Sequence, residues 1–168
     1  MARRGIGLVY GGGHIGLMGI LADAVLAAGG EAIGVIPQAL LDRELGHRGL
    51  TSLEIVGSMH ERKMRMAELS DGFLALSGGV GTLEELFEQW TWAQLGIHAK
   101  PSGLLNVAGY FDPLLAMIEH MTRGGFLHQS YAEMLLVGDR IDPLLDRYAR
   151  YEPPPLKWTD AASEAIEP

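Results

Sequence analysis

Apolar and polar positions are arranged in alternating blocks along this chain. Short apolar runs at residues 6–10, 31–36, 53–56, 73–76, 102–107 and 134–137 predict strands, most of them bounded by glycine or proline. Between them lie segments with helical spacing at 17–28, 58–69, 83–95, 112–121 and 143–148, while 40–50 reads as polar and irregular. Two helix boundaries carry explicit signals. Gly29-Gly30 is suited to a left-handed helix end, and Ser58-Met59-His60-Glu61 has the spacing of a capping box. Strands that alternate with helices predict an α/β protein whose parallel sheet is covered on both faces.

Twice an apolar run passes through glycines directly into a helix, at Gly11-Gly12-Gly13-His14-Ile15-Gly16 and at Ser77-Gly78-Gly79-Val80-Gly81-Thr82. Such loops bring backbone N–H groups close to one anion, and the helix that follows adds its positive dipole end. On its own the first loop is equally consistent with phosphate binding and with helix–sheet packing. The second is no P-loop, because no lysine precedes Thr82. A single phosphate therefore suits the pair better than a triphosphate with magnesium. Ligands of such sheets sit beyond the carboxyl ends of the strands, where both loops are expected.

Composition narrows the classes. With 168 residues, 48% of them hydrophobic, one core and one domain over 1–150 are expected, followed by an extended or disordered tail at 151–168 that contains Pro153-Pro154-Pro155. Thirteen basic against 21 acidic residues give a net charge of −8, which argues against a nucleic-acid partner. The absence of cysteine removes disulfides and thiolate chemistry, and no lysine sits in a cofactor-anchoring context. No apolar stretch reaches the ~18 residues of a membrane span and the start is not signal-like, so the expectation is a soluble, cytoplasmic protein. The histidines, His14, His60 and His98 among them, have no H-x-x-x-H spacing and read as non-ligands, so no metal is expected.

Two side-chain readings stay open on residues alone. Thr82-Leu83-Glu84-Glu85 matches a capping box, in which Glu85 would bond back to the cap residue; the competing reading is a carboxylate that faces sugar hydroxyls or a water beside the anion loop. Arg62 and Lys63 match an ordinary solvated helix face as well as a ligand contact. On the 83–95 helix, Glu85, Glu88, Trp92 and Leu95 form one stripe, and Leu83, Leu86, Phe87, Trp90 and Gln94 form another. A helix apolar on two sides is either a central core helix or one that meets its twin in a homodimer.

With these motifs in place, the chain resembles the LOG (Lonely Guy) cytokinin-activating phosphoribohydrolases, long described as lysine decarboxylases. The family marker P-G-G-x-G-T-x-x-E corresponds to residues 77–85, and companion segments at 11–19, 34–37, 59–63 and 90–96 match as well, so the resemblance runs through about Tyr148. It implies a homodimeric, Rossmann-like, doubly wound fold that hydrolyses the N-glycosidic bond of N6-modified adenosine 5′-monophosphates, with no cofactor. It further implies Arg62 and Glu85 as catalytic residues, and Gly12, Gly13, Met18, Lys63, Gly78, Gly79, Gly81 and Thr82 as phosphate- and nucleotide-binding ones. Ser77 replaces the motif proline, with a modest expected effect on loop rigidity. Family members usually carry a further strand and helix ahead of the segment that begins here at Met1, so the sheet is expected to lack them. A general AMP or nucleoside 5′-monophosphate nucleosidase, and a non-catalytic Rossmann-like nucleotide or cofactor carrier, are the competing functions.

Overall fold

A computed structural model describes residues 1–44 and 46–155. The chain divides into two compact units, Met1–Ser70 and the part from Asp71 onward. Of the tail expected at 151–168, residues 156–168 lie outside the described residues.

The first unit is a three-stranded parallel sheet in the order β1 (Leu8–Tyr10), β2 (Ala32–Pro37), β3 (Ser52–Val56), with helices α1 (Gly16–Ala27), α2 (Gln38–Glu44) and α3 (Met59–Leu69). Leu8 pairs with Ala32 and Tyr10 with Gly34, which sets β1 so that its glycine loop leaves beside the middle of β2. Leu8, Tyr10, Ala22, Val25 and Ala32 form its core. Gly29, at φ 74°, ends α1 as expected, with Gly30 N–H returning to the Val25 carbonyl at 2.9 Å. The cap of α3 is also present. Ser58 Oγ accepts from Glu61 N–H at 3.1 Å, while the Glu61 carboxylate reaches one residue further back and accepts from Gly57 N–H at 2.7 Å. Across the outer face Arg65 clasps Glu54 with two donors, at 2.6 and 3.0 Å, and this holds the Glu54 carboxyl below its usual range.

The second unit repeats the plan with β4 (Phe73–Ala75), β5 (Ser102–Leu105) and β6 (Leu135–Gly138), parallel and in that order, and helices α4 (Val80–Gln94), α5 (Asp112–Arg123), α6 (Gln129–Ala132) and α7 (Ile141–Tyr148). Trp90, 2% exposed, lies at the centre of a core with Ala75, Leu86, Leu104, Phe111 and Leu135, and its indole N–H donates to the Tyr131 carbonyl at 2.9 Å. The expected α/β class with parallel strands is present, and its strands fall into two three-stranded sheets. Residues 40–44, the first part of the 40–50 stretch read from the sequence as irregular, belong to α2. Helix α4 starts at Val80, three residues before the expected 83. No described helix is long and apolar enough to cross a membrane.

Candidate active site

In the first unit Tyr10 ends β1 and delivers the chain into Gly11-Gly12-Gly13, all three buried. Gly12 adopts φ 77°, where an L side chain is strained, and its added Cβ would come within 2.9 Å of the Leu53 side chain. The loop is closed by His47 N–H donating to the Gly12 carbonyl at 3.0 Å, by an antiparallel bridge from Gly13 to Gly46, and by Tyr10 Oη donating to the Gly13 carbonyl at 3.1 Å. Burial, with the Asp23 charge in second place, pushes the Tyr10 hydroxyl up to about 12, so it stays a donor.

Arg62 is the buried centre of this unit. It is 6% exposed, and its guanidinium donates from Nε to the Val35 carbonyl at 3.1 Å and from Nη2 to the Gly11 carbonyl at 3.0 Å. Nη1 faces the Met59 sulfur at 3.6 Å. The close approach requires the glycine: a Cβ on Gly11 would collide with Nη2 and lie 2.9 Å from Cζ. Of the two sequence readings of Arg62 and Lys63, the solvated helix face does not hold, since Lys63 is 8% exposed. Both are folded inward from α3, where an ammonium or guanidinium is rarely buried without a function or a partner. Met18, in the first turn of α1, is 40% exposed.

The same loop carries a polar cluster that the spacing of histidines along the chain does not reveal. Asp23 binds His47 Nε2 through Oδ1 at 2.8 Å and His14 Nε2 through Oδ2 at 3.3 Å, with the two rings 4.2 Å apart. These three groups have the ligand types and proximity of a metal site, their candidate atoms lying within 4.8 Å of one another. The hydrogen bonding nonetheless fixes a proton at the critical atom. Gly49 N–H can only donate, and it points at His47 Nδ1 at 3.0 Å, so the neutral ring carries its hydrogen on Nε2 and gives it to Asp23. In this arrangement the cluster ties α1 to the glycine loop and to the 46–49 turn. The two imidazoles hold the Asp23 carboxyl below its ordinary value.

In the second unit β4 leads through Leu76-Ser77-Gly78-Gly79 into α4, with Gly79 as N-cap in extended conformation and no side-chain cap. The amides of Val80, Gly81 and Thr82 occupy the first turn, where no intrahelical acceptor exists. Gly79, Val80 and Gly81 are exposed, Val80 at 86%. Gly78 is required by crowding: a Cβ there would collide with Thr82 Oγ1. The helix register decides one open reading of Glu85. With the cap at Gly79, Thr82 is the third helical residue and Glu85 the sixth, so Glu85 cannot complete a capping box with Thr82. Glu85 is half-buried one turn beyond Thr82, on the same side of the helix as Thr82 and Gly81.

The structure thus groups Gly78, Gly79, Gly81, Thr82 and Glu85 along the start of α4, and Gly12, Gly13 and Arg62 around the end of β1, one group in each unit. Two further residues belong with these groups: Gly11, which the sequence marks as part of the first glycine loop but not as a seat for Arg62, and Tyr110, which carries no signal in the sequence. Gly11 seats the Arg62 guanidinium, and Tyr110 donates to the Gly78 carbonyl at 2.7 Å.

Known proteins resemble this chain over most of its length. A family model described as "possible lysine decarboxylase" matches residues 18–148. The Oryza sativa subsp. japonica protein named cytokinin riboside 5′-monophosphate phosphoribohydrolase LOG is 44% identical over 171 residues, covering 100% of this chain and 71% of the relative. A probable cytokinin riboside 5′-monophosphate phosphoribohydrolase of the same species, LOGL5, is 50% identical over 155 residues, or 92% of this chain and 63% of the relative. In Arabidopsis thaliana, cytokinin riboside 5′-monophosphate phosphoribohydrolase LOG3 is 46% identical over 153 residues, 91% of this chain and 71% of the relative. The chain therefore spans between 63% and 71% of the length of these three relatives. A family model matched over most of the chain, together with relatives at this level of identity, means that the chain belongs to the LOG family.

Proposed function

We propose that this protein hydrolyses the N-glycosidic bond of cytokinin riboside 5′-monophosphates, releasing the free base and ribose 5-phosphate. The observation that carries the reading is the start of α4, where first-turn amides without intrahelical acceptors are followed one turn later by the Glu85 carboxylate. The 5′-phosphate binds at Gly78, Gly79, Gly81 and Thr82, where N–H donors and the helix dipole favour an anion. Glu85 then lies toward the ribose. As the bond to the base breaks, positive charge develops on the sugar ring in an oxocarbenium-like transition state. The carboxylate stabilises that charge and orients the attacking water. The water oxygen bonds to C1′, the base leaves with the electron pair of the glycosidic bond, and a proton goes to the base.

The Arg62 guanidinium serves as a fixed donor and positive charge rather than as an acid. Its role toward the substrate, and those of Lys63, Met18, Gly12 and Gly13, rest on the family resemblance residue by residue. A homodimer is part of the same reading. Half-buried Trp92 and Leu95, 45% exposed, belong to the stripe with Glu85 and Glu88, and with Ile97, 61% exposed just past the helix end, they offer the apolar surface that a twin helix would cover.

The test is incubation of the protein with isopentenyladenosine monophosphate and, separately, with AMP, followed by chromatography of the free base. Release from the modified nucleotide in preference to AMP is expected. Equal release from AMP makes the protein a general nucleotide nucleosidase, and no release from either refutes the enzymatic reading. Glu85→Gln is expected to lower kcat by ~10²-fold or more with little change in Tm, as loss of one transition-state group does. Light scattering of the same preparation tests the dimer.

A further inference from the structure

Tyr110 lies 32 residues from the glycine loop in sequence, yet its hydroxyl donates to the Gly78 carbonyl at 2.7 Å. The segment that presents it is rigidly built. Asn106 N–H donates to the Gly138 carbonyl at 2.7 Å, Asn106 Oδ1 accepts from Phe111 N–H at 2.7 Å, and Asn106 Nδ2 donates to Asp112 at 2.8 Å. Ala108 has φ 53°, the one non-glycine residue with positive φ among the described residues, and Gly109 follows at φ 70°. Such left-handed alanine is disfavoured by about 1–2 kcal/mol and persists only where its surroundings over-determine it. The Tyr110 ring stands edge-on against Phe111, centroids 5.0 Å apart, and Phe111 is 2% exposed.

The consequence for Gly78 follows from peptide geometry. No cis peptide occurs among the described residues, and across a trans peptide the carbonyl and the next N–H point in opposite directions. With its carbonyl turned to Tyr110, the Gly78–Gly79 peptide must direct the Gly79 N–H away from Tyr110. This is the one peptide of the loop with glycine on both sides, where no Cβ resists a flip of the plane. A flipped plane would present a carbonyl in place of a donor, which repels an anion rather than binding it.

We propose that Tyr110 is a positioning residue that locks the Gly78–Gly79 peptide in the orientation that offers its N–H to a phosphate group. The inference rests on the phosphate-binding reading of this loop and extends it to a residue outside the loop. Tyr110→Phe removes only the hydroxyl. The ring keeps its edge-on contact with Phe111, and the residue is 51% exposed.

The experiment measures binding and turnover of isopentenyladenosine monophosphate and binding of the phosphate-free nucleoside isopentenyladenosine, for wild type and Tyr110→Phe, with Tm alongside. For the variant, KM and Kd of the monophosphate are expected to rise about tenfold, the loss of one well-placed hydrogen bond. Its kcat should stay within about twofold, nucleoside binding should not change, and Tm should stay within a few degrees. Unchanged monophosphate affinity in the variant overturns the inference and leaves the phosphate reading intact. A fall in Tm and kcat with unchanged KM also overturns it, in favour of a merely structural tyrosine. If wild type binds the nucleoside and the monophosphate equally well, the phosphate reading itself has failed, and this inference with it.

Discussion

Gly11→Ala puts the seating of Arg62 to a quantitative test. The added methyl group falls on Nη2 of a guanidinium that is 6% exposed, so the side chain must leave its seat. Arginine is flexible, and the steric clash alone could be relieved cheaply. What cannot be relieved is the loss of acceptors, because Nε and Nη2 give up the Val35 and Gly11 carbonyls together. Each hydrogen bond to a charged group contributes about 1.5–3 kcal/mol net of hydration, so two amount to about 3–6 kcal/mol. Replacing glycine by alanine also makes the unfolded chain less flexible, which returns about 0.4–1 kcal/mol. The balance is a destabilisation of at least about 2–3 kcal/mol, or a fall in Tm of roughly 4–12 °C for a chain of this size. Gly7→Ala is the matched control, since its Cβ would meet only ordinary contacts at 3.5 Å and beyond, and it should leave Tm unchanged or slightly raised. Scanning calorimetry of the two variants beside wild type decides the matter by sign. Equal Tm values for Gly11→Ala and Gly7→Ala would refute the seating of Arg62 against Gly11.

Two further predictions concern stability. Ser102 on β5 is 2% exposed and its hydroxyl has no hydrogen-bond partner among the described residues, so Ser102→Ala removes a buried polar atom at almost no loss of volume and should raise stability by about 1 kcal/mol in urea unfolding. A measured loss instead would mean that the hydroxyl has an acceptor in solution. Arg65 lowers the pKa of the Glu54 carboxyl, so this pair adds stability above the ordinary carboxylate pKa and loses it as pH falls through the folded-state value. The urea midpoint of wild type should therefore drop more between about pH 6 and pH 3 than that of Glu54→Gln, by a modest margin because both partners are about a third exposed. Identical pH dependence in the two proteins would show that the pair does not form.

Most of the architecture was legible from local pattern. Each strand that ends in a glycine or proline boundary was found within a residue or two, because apolar runs in buried parallel strands leave few alternatives. Helix α2 was not, since its short segment lacks a helical stripe. Contacts between distant segments left no local trace. Gly11 and Arg62 are 51 residues apart, Asp23 and His47 are 24, and Gly78 and Tyr110 are 32. In each case the partner sets the residue's role. Glycine at 11 looks like loop flexibility until a guanidinium is found where its side chain would be. The histidines look unrelated until Asp23 is seen between two of them.

The start of α4 shows how far a small local error can travel. Gly79 and Gly81 argue for a loop on propensity, and this places the helix start at 83 and makes Thr82 a natural cap with Glu85 as its reciprocal partner. Propensity carries less weight in a first turn, where N–H groups need no intrahelical acceptor and a glycine N-cap is well tolerated, so the helix extends back to Val80. That shift of three residues turns the amides of Val80, Gly81 and Thr82 into first-turn donors and moves Glu85 into the second turn. A carboxylate at the third helical position would have a structural purpose of its own. At the sixth position, half-buried and on the side of Thr82, capping no longer accounts for it. The exposed first-turn donors after the glycine loop and the carboxylate one turn away, which the proposed function assigns to phosphate and ribose, are then two results of one helix register. A variant that shifts that register should therefore impair phosphate affinity and turnover together, whereas Glu85→Gln should separate them.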